Sequence, residues 1–349
     1  MKNKKRHSDT VQLSSVDISM AVPTKLELSE LGKNVNFKRQ TSEIVFFHEK
    51  TQKLLKYARA KDKQDDLEKE LEDLSEEERT KVCQSEDERH NTALHYAAKA
   101  GNLSTCKFLV EQGADINALG QNKMKPLQFA ARYGDKDKGK EVWMCMKWMM
   151  EEDKKKEPKK EENEVFVDGR DNFSILHHAI QNTNWEEDPV VVQELIKTRE
   201  FKITDSDKQG NTCLHLAAQF DRQDDHILLE AFLPSDDKNK DYHSQVYIKQ
   251  EDLEKCIATE NNVGMTPLHL ACAVGNPDSV KQLLGIARDA KSISVGEIIN
   301  DPDSNESLPI SLAITSKNLE MVDILLENGA KVNEDTIFTA ARSVQFAHY

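Results

Sequence analysis

The amino-acid sequence predicts an all-α solenoid of helix-turn-helix repeats joined by β-turn fingers, with long insertions between the repeats. Three observations carry that prediction: a Thr-x-x-His string that recurs along the chain, an apolar helical stripe after each copy, and a glycine stop after some of those stripes. A repeat of this size cannot bury its apolar flank alone, so neighbouring copies must stack.

The string is fullest at Thr266-Pro267-Leu268-His269, followed by Leu270-Ala271-Cys272. It also reads Thr92-Ala93-Leu94-His95 before Tyr96-Ala97-Ala98, and Thr212-Cys213-Leu214-His215 before Leu216-Ala217-Ala218. Degenerate copies are Ser174 to His177, Pro126 to Ala131 with Gln128 in the histidine slot, and Leu308 to Ala313 with Ser311 there. The slot falls at residues 95, 128, 177, 215, 269 and 311, with gaps of 33, 49, 38, 54 and 42. Insertions explain the longer gaps, because lengthening a surface loop costs little entropy.

Each part of the string has a physical task. Gly210 and Gly264 precede the threonine, where a tight turn needs the positive φ that glycine adopts without strain. Thr92, Thr212 and Thr266 stand where a hydroxyl caps the coming helix, and Pro267 fits its first turn. The pairs Ala97-Ala98, Ala130-Ala131 and Ala217-Ala218 let helices approach closely. Second helices follow with apolar spacing at Cys106, Phe108, Leu109 and Val110, at Val280, Leu283 and Leu284, and from Met321 to Leu326. Gly113 and Gly329 then end a helix and open the next finger.

The boundaries follow from where this pattern begins and stops. Residues 1–43 read as a disordered tail and 44–85 as a helical N-terminal cap, with Ile44 to Tyr57 packed and Leu67, Leu71 and Leu74 on an exposed amphipathic helix. Residues 86–341 form the repeat domain, about six repeats and a partial seventh, and 342–349 a short tail. The partial seventh repeat, from Thr336 to Ala341, suggests a piece or short form of a longer array. Residues 135–164, 234–258 and 286–307 are the insertions, with Leu253 and Ile257 as anchors in the second. In the first, the helix 142–150 carries Trp143, Trp148 and four methionines, and suits either the core or a binding surface. The charge run from Glu151 to Glu164, broken by Pro158, reads as a solvated loop.

Composition narrows the function. A net charge of -14 disfavours nucleic acid as a partner and favours basic peptides or other surfaces of one assembly. Six cysteines without a Cys-x-x-Cys pair indicate reduced thiols in the cytosol, and Cys106 and Cys272 sit on apolar helix faces. No signal peptide and no stretch long enough to span a bilayer is present in the sequence. The repeated histidines invite a metal, but one per repeat spreads ligands along the array, whereas zinc needs several at one point. His48-Glu49 lacks a second histidine four residues on, and there is no phosphate-binding glycine loop or nucleophile elbow. Lys38-Arg39-Gln40-Thr41-Ser42 is a basic Ser/Thr string in the tail, and Asn102-Leu103-Ser104 and Asn172-Phe173-Ser174 match a glycosylation triplet that means nothing in the cytosol. The expected site list is therefore structural (Thr92, His95, Thr212, His215, Gly264, Thr266, Pro267 and His269), with no catalytic, cofactor or metal residue.

The register is that of the ankyrin repeat, whose period is about 33 residues. Gly264 to Cys272, continuing through Gly275, Pro277, Ser279, Val280, Leu283, Leu284 and Gly285, further resembles a repeat of the A-type transient receptor potential (TRP) cation channels. The stretch from Asn91 through Asn117 to Gly134 is similar. The resemblance implies the cytosolic ankyrin part of a tetrameric gated cation channel, bound to channel subunits at the cytosolic face of the plasma membrane. The chain departs from that family in lacking transmembrane helices and a pore loop, and no functional residue carries over. The function expected is protein–protein binding through the concave face of helices and finger tips, in a TRP-like channel subunit serving ion transport. The alternative is an independent soluble adaptor or inhibitor with an unrelated cytosolic partner.

Overall fold

The computed structural model describes residues 35–60, 63–156, 173–182, 190–198, 201–220, 227–232 and 248–346. Helices dominate these residues, no strand forms among them, and Ser206 and Thr212 make one isolated antiparallel bridge. The chain starts with α1 (Val35–Ala58), α2 (Gln64–Glu72) and α3 (Glu76–Gln84). Helical hairpins follow as α4 (Ala93–Lys99) with α5 (Leu103–Glu111), α6 (Pro126–Tyr133) with α7 (Gly139–Lys156), and α8 (Ile175–Ile180) with α9 (Val190–Thr198). The fourth pairs α10 (Cys213–Phe220) with the short α11 (Ile227–Glu230), and α12 (Gln250–Ala258) is added after it. The fifth is α13 (Pro267–Val274) and α14 (Pro277–Asp289), followed by α15 (Val295–Ile299). The sixth is α16 (Pro309–Thr315) and α17 (Leu319–Glu327), and α18 (Glu334–Phe346) closes the described chain.

The first helices of the hairpins stack in order, α4 on α6, α6 on α8, α8 on α10, α10 on α13, α13 on α16 and α16 on α18. The second helices form a parallel outer layer, with α7 between α5 and α9, and α14 beside α17. Small residues make the inner layer close: Ala97, Ala98, Ala130, Ala131, Ala217 and Ala218 are all fully buried. Large residues fill the space between layers, where burying a leucine stabilises by roughly 1.5–3 kcal/mol. Leu94, Leu176 and Leu268 at one slot of the string, and Leu109, Leu195, Leu283 and Leu325 in the outer helices, are all fully buried.

Several insertions take more structure than their composition suggests. Helix α1 begins at Val35, inside the stretch expected to be tail, and the string at residues 38–42 falls within it. Leu67, Leu71 and Leu74 are buried, because α2 lays its leucine stripe on α1 and leaves only its charged face to water. The Trp/Met helix belongs to the core: Val142, Cys145, Met146, Met149 and Met150 form its buried stripe, while Met144 is exposed. That helix runs on to Lys156, so the charge run starts as helix rather than loop, and its remainder lies outside the described residues. Leu253 and Ile257 anchor α12, and Ile286 and Ala287 extend the buried face of α14 into the third insertion. Helix α18 continues past residue 341 to Phe346. Among the described residues no helix is long and apolar enough to cross a membrane.

Candidate functional site

Each finger is built from an Asp or Asn five residues before the helix N-cap. The Oδ1 atom of Asp87 accepts the backbone N–H groups of Arg89 and Asn91, both at 2.9 Å. Asp207 does the same for Gln209 and Asn211 at 2.8 Å, Asn261 for Val263 and Met265 at 3.1 and 3.0 Å, and Asp303 for Asn305 and Ser307 at 2.8 Å. Such side chains mimic a backbone turn. They leave the residue two before the N-cap left-handed: Gly210 at φ 80°, Gly264 at φ 72°, but also His90 at φ 64° and Glu306 at φ 61°. In the second repeat Gly120 takes the Asp/Asn place, and a Cβ there would lie 2.5 Å from His95 Nε2.

The Thr-x-x-His string ties each finger to its own helix and, at His95 and His215, to the next repeat. The N–H of Thr92 donates to His95 Nδ1 at 3.1 Å, as do those of Thr212 to His215 and Thr266 to His269 at the same distance. The threonine hydroxyls also meet that nitrogen, at 3.0, 2.9 and 2.8 Å. Because Nδ1 accepts a backbone proton, the imidazole proton resides on Nε2. That N–H reaches across the repeat boundary, from His95 to the Met124 carbonyl at 3.0 Å and from His215 to the Met265 carbonyl at 2.9 Å. Both acceptors precede the N-cap of the following inner helix. Ser174 and His177 repeat the local half, with Ser174 N donating to Nδ1 at 3.2 Å. In His177 and His269 the Nε2 atom is buried without closing a hydrogen bond, while the equivalent carbonyls of Asn211 and Ser307 face the rings. Gln128 serves the same slot by accepting Lys125 N at 2.9 Å, and the Ser311 hydroxyl meets that of Thr336 at 3.2 Å.

Burial keeps these imidazoles neutral. It pushes His95, His177 and His215 down to about 4 and lowers His269 as well, against the opposing pull of the facing carbonyls. Burial also raises the thiols of Cys83 and Cys256 to about 12 and those of Cys106, Cys213 and Cys272 further still. All six cysteines are buried and unpaired by disulfides, so they pack as small hydrophobes rather than nucleophiles. Among the described residues no three His, Cys, Asp or Glu side chains gather as metal ligands.

A second asparagine series was not recognised from sequence, where only Asn102 was noted, and for its glycosylation triplet. Asn102 sends Nδ2 back to the N-terminal cap, to the Ala60 carbonyl at 3.1 Å, and Asn182 and Asn318 send theirs to the preceding repeat, to the carbonyls of Ala131 at 3.1 Å and Gly275 at 2.9 Å. Asn276 and Asn318 also cap their outer helices, Asn276 through Ser279 N at 3.2 Å and Asn318 through Met321 N at 3.2 Å. The signal lay in the pairs Gly101-Asn102 and Gly275-Asn276, where a left-handed residue turns the chain before the capping asparagine. With its amide committed to Ala60, Asn102 is a structural residue inside its glycosylation triplet.

The finger tips are exposed, as at Arg89, Asn262 and Ser304. Asn262 N donates to Gln209 O at 2.9 Å and Ser304 N to Val263 O at 3.1 Å, so the fourth, fifth and sixth fingers lie edge to edge. At the other end, the first finger, α4 and the end of α1 enclose a cavity of about 630 Å³, lined by Gln52, Arg59, Asp87, Glu88, Arg89, Tyr96, Lys99, Ala100 and Asp135. The Arg59 guanidinium lies 3.9 Å from the centre of the Tyr96 ring, and the Tyr96 hydroxyl donates to Asp87. Burial opposes ionisation of Asp87, but that hydroxyl, the Asn91 and Arg89 amides and the Arg59 charge hold its carboxyl below the usual range.

Comparison with known proteins agrees with this geometry. A family model described as ankyrin repeats matches residues 55–140 and 243–336, in three copies. A stretch of 111 residues is 28% identical to transient receptor potential cation channel subfamily A member 1 of Homo sapiens, covering 24% of this chain and 10% of that protein. The chain thus matches about a tenth of that relative's length. Taken with the stacked hairpins and their fingers, the family match shows that the chain belongs to the ankyrin-repeat family.

Proposed function

We propose that the chain is a non-catalytic, protein-binding scaffold: the cytosolic ankyrin-repeat part, or a short form, of a TRP-like cation channel subunit. Ankyrin repeats mediate protein–protein contacts, and the channel context rests on one observation, the 28% identity over 111 residues to a TRP cation channel. On this reading residues 86–341 are the binding array and 44–85 its cap. Partner proteins, channel subunits among them, engage the fingers and inner helices in the cytoplasm, beneath the plasma membrane. Thr92, His95, Thr212, His215, Gly264, Thr266, Pro267 and His269 hold the repeats in register and take no part in chemistry or cofactor binding. Buried polar groups engaged mostly with one another suit a rigid surface better than a reaction.

The test is capture by the tagged chain from detergent extracts of native membranes, with repeat-by-repeat deletions. Co-purification of channel subunits, lost on deleting particular repeats, is the expected result. Capture of soluble proteins alone would replace the channel reading with that of an independent adaptor.

A further inference from the structure

The cavity at the first finger is charge-balanced within an acidic chain, its three cations facing Asp87, Glu88 and Asp135. The chain carries -14 overall, yet Arg59, Arg89 and Lys99 all line this one groove. Two of the carboxylates beside them are already engaged. Asp87 accepts two backbone amides and the Tyr96 hydroxyl, and Asp135 pairs with Lys138 at 3.3 Å. Glu88 is the remaining one. By contrast, Arg89 and Lys99 make no ion pair among the described residues.

Arg59 is held ready for a ligand. Stacking on Tyr96 fixes the plane of its guanidinium, and its only ion pair among the described residues is a loose 3.5 Å contact with Asp87. Its side chain nevertheless remains 53% exposed. A planar guanidinium with a free edge is suited to bidentate carboxylate recognition, and its ordering has already been supplied by the ring beneath it. Arg89 on the finger and Lys99 on α4 add mobile charges within the same groove.

We propose that this groove docks an acidic peptide segment of a partner protein, its carboxylates received by Arg59, Arg89 and Lys99. The proposal rests on the scaffold reading and assigns chemistry to one of its partners. It also reverses the expectation from net charge, which favoured basic peptides.

The experiment is fluorescence anisotropy of the full chain with short labelled peptides of equal length that are Glu/Asp-rich, neutral or Lys/Arg-rich. The acidic peptide should bind in low salt and weaken as salt rises. Arg89→Glu with Lys99→Glu should weaken it by about tenfold or more, while Lys317→Glu with Lys331→Glu, an equal change in net charge at exposed sites elsewhere, should leave it unchanged. Thermal melts would establish that both variants are folded. Binding of the basic peptide alone, no binding of the acidic one, or equal loss in both double variants would overturn the proposal. The scaffold reading would survive any of these, since it falls only if the membrane capture also yields no partner.

Discussion

The interior of the array and its last repeat use the same residues under different constraint. Leu268 in α13 of the fifth repeat is fully buried, whereas Phe338 in α18, at the end of the described array, is 67% exposed. Leu284 is fully buried in α14, and Leu326 at the same place in α17 is 44% exposed. Gly113 and Gly329 share a left-handed backbone at φ 96° and 90°, yet a Cβ on Gly113 would lie 2.5 Å from Thr80 Oγ1 and one on Gly329 would touch nothing within 4 Å. A residue's role in a solenoid is therefore set by its neighbours on either side, and the motif alone does not fix it.

Acid should expose the comparison most strongly. The four slot histidines bind a proton less readily folded than unfolded, so the stability they confer is complete above about pH 6.5 and is lost as pH falls toward 4. From pH 7 to pH 5 the loss should be about 2 kcal/mol for each of His95, His177 and His215, read from urea midpoints. The contact between Ser311 and Thr336 cannot titrate in this range, so amide exchange should accelerate first around α4, α8 and α10, and later in α16 and α18. Uniform acceleration would erase the distinction.

A smaller contrast comes from truncation. Leu268→Ala should cost about 3 kcal/mol and Phe338→Ala no more than about 0.5 kcal/mol, measured by the same denaturation. The glycines give the finest comparison. Gly329→Ala should cost about 1 kcal/mol for the backbone alone, and Gly113→Ala about 2 kcal/mol because Thr80 must also move. Equal costs would show that the α3 contact is unimportant.

Much of this was legible in the sequence, where the reason was local. The Thr-x-x-His string, the proline at the helix start and the glycine stops declare themselves because each satisfies its own neighbours. The Asp/Asn finger residues escaped notice although Asp87, Asp207, Asn261 and Asp303 share one spacing. In so acidic a chain a carboxylate reads as surface charge, and two residue types fill the position. The place of the Trp/Met helix needed the structure, since Val142, Cys145, Met146 and Met149 would make an equally good stripe facing a partner. The groove at Arg59 was invisible for another reason. It depends on α1 meeting α4 across 37 residues of sequence (Arg59 to Tyr96), with no periodicity to announce it.

The central physical claim is that the slot histidines are neutral and protonated on Nε2, and that His95 and His215 thereby join one repeat to the carbonyl edge of the next. Long-range ¹⁵N–¹H NMR of the imidazoles tests this directly. The account predicts the Nε2–H tautomer for His95 and His215, with no titration until pH approaches about 4. Titration of either ring near its ordinary value of about 6.5, or a proton on Nδ1, would contradict it.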